Sequence, residues 1–174
     1  MKKAIVALML VICAATLFAA NVFTQTIVLV SVVETKRPDF TLEVANVVNG
    51  YVKHSNGDEV AIGTLNAQHD VKADLIVSQT ESRFYGKVEL DITVTELYHE
   101  GFHTNGLRIS GNVINMKGRE GSLSVCGNSA HIELEYSGSM VEADVAELSV
   151  EYNGNPSLPE GEYVSLIVMS YVVR

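Results

Sequence analysis

The sequence predicts an all-β fold, an antiparallel β-sandwich. Three observations carry that prediction. Apolar residues alternate with polar ones at a period of two in stretch after stretch, as in Lys87-Val-Glu-Leu-Asp-Ile-Thr-Val-Thr95. Turn-forming dipeptides rich in Asn and Gly separate these stretches. No segment carries a convincing amphipathic helical period, although Met140 to Leu148 has the pattern for a helical turn or two.

The elements follow in order. Lys2 and Lys3, the apolar run Ala4 to Phe18 and small Ala19 and Ala20 read as a secretory signal over residues 1–20, since the run is short for a membrane span. Residues 21–36 form an N-terminal extension or first strand, with the apolar run Thr26-Ile-Val-Leu-Val-Ser-Val-Val33. Residues 37–174 form the sandwich. Strands are expected at Thr41 to Ala45, Lys87 to Thr95, His131 to Tyr136, Glu147 to Tyr152 and Gly161 to Arg174, among nine or ten candidates. In a strand, this spacing sends Val88, Leu90, Ile92 and Val94 to one face and charged or hydroxyl residues to the other. Asn49-Gly50, Ser55 to Asp58, Asn105-Gly106, Gly127-Asn128 and Asn153-Gly154 supply residues that tolerate positive φ between strands. Pro38, Pro156 and Pro159 all fall in connections, where a missing N–H does no harm. The economical architecture is a sandwich of immunoglobulin-like type, either complete in itself or completed by a donated strand.

Composition narrows the function. Removing the signal takes the formal charge from −9 to −11, because Lys2 and Lys3 leave with it. Such a surface repels nucleic acid and anionic headgroups. The chain after the signal offers no membrane span. Cys13 also leaves, so Cys126 stands without an intramolecular partner, and it reads as a buried strand residue.

His99-Glu-Gly-Phe-His103 fits the H-E-x-x-H pattern of zinc peptidases, in which a helix puts both imidazoles on one face beside a polarising Glu100. Ile109 occupies the place of a third ligand in the longer form of that motif. Gly101 and the Asn105-Gly106 turn also argue for strand or loop there. His99 and His103 are thus solvated strand-end residues on this reading, and a zinc hydrolase is the minor alternative. His54, His69 and His131 stand singly. No phosphate loop or nucleophile elbow is present. With no Trp and its seven Tyr scattered, the chain shows no obvious sugar-stacking platform. Nothing calls for a cofactor, and the chain reads as non-enzymatic.

The ends are the most informative segments. Thr26 to Val33, followed by Glu34 and Pro38, has the form of a strand that enters a domain. Leu158-Pro-Glu-Gly-Glu-Tyr-Val-Ser-Leu-Ile-Val168 has the form of a turn and closing strand. On these stretches the chain resembles the pilin subunits of chaperone–usher fimbriae, most closely types that lack the usual disulfide. The resemblance implies an incomplete sandwich whose missing strand is lent by a periplasmic chaperone. A neighbouring subunit's extension then replaces the lent strand at an outer-membrane usher. It assigns Ile27, Leu29, Ser31 and Val33 to the donated face. Gly161, Tyr163, Leu166, Val168 and Tyr171 fall to the strand that borders the groove. It implies export across the inner membrane, from periplasm to cell surface. Val173 stands where many such subunits keep a tyrosine. Beside this stands a second reading: a self-complete secreted sandwich that binds a protein or glycan partner in the cell envelope. In it Ile27 to Val33 is an ordinary first strand and the C-terminal run an ordinary central one.

Overall fold

The computed structural model describes residues 35–174. The expected signal, and Ile27, Leu29, Ser31 and Val33 of the expected donor face, lie outside the described residues. Twelve strands and no helix make up the described chain: β1 Phe40–Val48, β2 Tyr51–Ser55, β3 Glu59–Thr64, β4 Val71–Gln79, β5 Ser82–Val94, β6 Leu97–His99, β7 Phe102–Thr104, β8 Leu107–Val113, β9 Arg119–Cys126, β10 Ser129–Met140, β11 Ala143–Tyr152 and β12 Tyr163–Val173. Every strand pairing is antiparallel.

The strands form two sheets with the core between them. The small sheet has the order β1-β4-β11-β8, and the large one β2-β3-β12-β5-β10-β9, with the β6–β7 hairpin attached to β12. The chain changes sheet at most connections, as double-sheet jelly rolls do. Alternation explains the layering. Val88, Leu90, Ile92 and Val94 of β5 are all fully buried, as their spacing predicts. Ile132 and Leu134 of β10 and Tyr163, Ile167 and Met169 of β12 face the same core. Leu75 and Val77 of β4, Leu148 and Val150 of β11, and Leu42 of β1 meet them from the small sheet. The expected turn dipeptides all lie in connections between strands, as do Pro156 and Pro159, while Pro38 precedes β1.

Two expectations are corrected. Met140 to Leu148 is not helical: β10 ends at Met140 and β11 starts at Ala143. A bulge between Asp144 and Ala146 lets the adjacent Val145 and Ala146 both turn inward, which breaks the period-two pattern. Cys126 is exposed, not buried. It ends β9, the outermost strand of the large sheet, just before the Gly127 turn.

β12 is an interior strand. Tyr163–Val168 pairs with β3, and Ile167–Val173 pairs with β5 on the other side. Arg174 and Lys87 exchange both backbone bonds, so the even-numbered residues of β12 turn their backbone groups toward β5. The odd-numbered ones face β3, and the last of these contacts is Met169 N–H donating to Asp58 O at 2.7 Å. Beyond it, Tyr171 and Val173 have no backbone partner on that side among the described residues. The first described residues reach the same edge of β5, where Lys36 and Arg83 exchange backbone bonds.

Candidate functional site: the outer face of the large sheet

The H-E-x-x-H segment folds as a hairpin. β6 and β7 pair through Leu97↔Thr104, Tyr98↔His103 and His99↔Phe102. The loop is Glu100-Gly101, both at positive φ (41° and 91°), which matches the twist of a tight two-residue hairpin turn. Pairing puts the two imidazoles on opposite faces of the ribbon. His103 stands beside Tyr98, with ring centroids 5.0 Å apart, and 3.4 Å from Glu96. His99 turns toward Tyr163, also at 5.0 Å, and its Nδ1 lies 2.9 Å from the Glu162 carbonyl oxygen. The helical geometry that a shared zinc ion needs is therefore not present. Among the described residues no group of three His, Cys, Asp or Glu side chains is placed to hold a metal.

The predicted C-terminal groove residues divide between two faces. Tyr163 is buried in the core, where Ser165, Ile167 and Met169 join it. Tyr171 lies at the core margin, edge-on to Phe40 at 4.9 Å, and donates to Asp39. That bond pushes the Tyr171 phenol up to about 12, with burial adding to it. Leu166 and Val168 face outward. Gly161 precedes the strand, and a Cβ there would come within 2.3 Å of the His99 ring, so a glycine lets the hairpin seat against the strand entry.

Strand register builds a surface that single residues do not announce. Tyr51 opposes Gly63, Gly63 opposes Val164, Val164 opposes Tyr98, and Tyr98 opposes His103. Val164 lies between the buried Tyr163 and Ser165, so the whole row points out of the sheet. The Tyr51 ring lies across Gly63, where a Cβ would meet it at 2.7 Å. Tyr98 is half exposed. Glu162 anchors one end of the row by accepting hydrogen bonds from Tyr51 Oη and Lys53 Nζ, each at 2.6 Å. The Lys53 contact, then the Tyr51 contact, hold the Glu162 carboxyl below its usual range. The same two-sided bond pushes the Tyr51 phenol up.

The other half of this outer face is acidic. Glu89, Glu120, Glu133 and Glu135 line an open depression of about 470 Å³, with Lys87 and Arg174 at its rim. Arg174 lies 3.0 Å from Glu89. His131 Nδ1 stands 2.7 Å from Asp91, and this hydrogen bond raises the imidazole pKa, with Glu133 also contributing.

No family model matches this sequence, and no curated protein does. Among solved structures, the chain is similar to a carbohydrate-binding module, TmCBM27, described for specific mannan recognition. The two are 13% identical with a TM-score of 0.27, over 79% of this chain and 96% of that one.

Proposed function

We propose that this chain is a non-enzymatic binding protein of the cell envelope, a self-complete β-sandwich that takes a protein or glycan partner on the outer face of its large sheet. The observation that carries this is β12. A strand hydrogen-bonded to β3 over Tyr163–Val168 and to β5 over Ile167–Val173 leaves no open groove along most of its length. This pairing supports a sandwich that closes without a lent strand. Its unspent surface is the aromatic half of the large sheet's outer face, where half-exposed Tyr98 shares a row with Val164 and Tyr51. Isolated envelope material tests the proposal. The full chain is expected to be retained on it, and the paired substitution Tyr51→Ala with Tyr98→Ala to weaken retention by about tenfold or more. Equal retention of both proteins overturns the assignment of this face.

A second reading keeps strand exchange between subunits, with fimbria-like polymerisation. One observation favours it: Tyr171 and Val173 have no backbone partner on the β3 side among the described residues, and Lys36 pairs with Arg83 of β5 just beyond the end of β12. In this reading residues 27–33 of a neighbouring copy extend the sheet there. Loss of oligomers on deletion of residues 21–33 supports it, and an unchanged size distribution contradicts it.

A further inference from the structure

We propose that the row Tyr51, Gly63, Val164, Tyr98 and His103 is the seat of a neutral polysaccharide chain laid across the strands. This rests on the reading of the outer face as a binding surface, and names its ligand class.

The geometry suits such a ligand. Five strands contribute one residue each in direct register, so the row runs perpendicular to them over about 19 Å at ordinary strand spacing. The Tyr51 ring, laid over Gly63, and the Tyr98 ring flank a low floor at Val164. An electron-rich ring face attracts the C–H groups of a pyranose, while the sugar's hydroxyl edge needs hydrogen-bonding groups beside it. Those groups are present. Lys53 and Glu162 stand at the Tyr51 end, and Glu96 and His103 at the Tyr98 end. The next outward row repeats the plan, with Ala61 and Leu166 at its centre and His54 and Thr95 at its ends.

Charge then decides between neutral and anionic polymers. Lys53 is paired with Glu162 at 2.6 Å and Glu96 stands 3.4 Å from the His103 imidazole, so the row offers donors and acceptors with its lysine already matched to a carboxylate. The chain as a whole carries a formal charge of −9, which repels a polyanion. A neutral, polyhydroxylated chain is the complementary ligand.

Native affinity electrophoresis of the full chain tests this, in gels cast with neutral polysaccharides (a glucan, a mannan and a galactan) or with an anionic polyuronate. At least one neutral polymer is expected to retard the protein, and the polyuronate not to. Tyr51→Ala and Tyr98→Ala are each expected to weaken that binding about tenfold, the worth of one stacked ring. Tyr85→Ala, which removes an exposed ring on β5 outside the row, leaves it unchanged. Unaltered melting temperatures confirm that the variants fold. Absence of retardation by every neutral polymer overturns the glycan assignment. If the Tyr51→Ala, Tyr98→Ala protein still loses envelope retention, the face binds a protein and only the ligand class fails. Self-association of the wild type that Tyr98→Ala abolishes also overturns it, by giving the row to a second copy of the chain.

Discussion

Arg119 carries a guanidinium into the core at 1% exposure. From β9 in the large sheet it reaches the small one. Nη1 donates to Gln79 Oε1 at 2.6 Å, and Nη2 donates to the carbonyl oxygens of Ile114 and Asp144 at 2.8 and 2.7 Å. Tyr136 of β10 donates to the same Gln79 oxygen. Burial pushes the Tyr136 phenol up to about 12, against the pull of Arg119. The Arg119 charge makes this tie costly to form, yet its bonds satisfy the Ile114 and Asp144 carbonyls, which would otherwise be stranded, while Gln79 Oε1 keeps Tyr136 as a second donor. Arg119→Met keeps the apolar stem and strands the Ile114 and Asp144 carbonyls. The expected loss is about 2–3 kcal/mol in urea unfolding, two unsatisfied acceptors partly offset by the relief of a buried charge. An unchanged or higher midpoint would mean that desolvation of the guanidinium outweighs its bonds.

At the scale of elements, the β6–β7 hairpin is where local sequence and structure disagree. Its turn places Glu100 at φ 41°, a conformation that Asn adopts far more readily than Glu. Glu100→Asn supplies the preferred Asn-Gly pair ahead of Gly101 and is expected to raise stability by about 0.5 kcal/mol, read as a higher melting temperature. A lower melting temperature would show that Glu100 makes up for its strain elsewhere, for instance through His99, 3.9 Å away.

Elements were readable in the sequence where one face is buried and one wet. Val88 to Val94 and the Asn-Gly turns declare β5 and its neighbours through local spacing alone. β11 hid part of itself because its bulge buries two successive residues. Cys126 resisted reading for another reason: burial at a strand end depends on whether the sheet continues past it, which no window of sequence contains. The candidate site was least legible of all. Tyr51 and Tyr98 lie far apart in the chain, and the row they share follows from pairing register across β2, β3, β12 and β6. Register is a long-range property, whereas alternation says only that each residue faces out.

For the whole molecule, the question is whether the sandwich stands alone. The C-terminal run looked equally suited to the wall of a groove and to the middle of a sheet, since both demand apolar residues on the inner face. Its neighbours support the second. β3 and β5 flank β12, and Ser165 inside it is fully buried, with its hydroxyl donating to Thr95 O at 2.7 Å. The most direct measurement is amide hydrogen exchange on the purified, monodisperse full chain with nothing bound. A self-complete sandwich predicts that the amides of Val164 to Met169 exchange as slowly as those of Leu90 to Val94 in β5. Rapid exchange along that segment in the monomer, slowed only when another chain's strand is supplied, would contradict it.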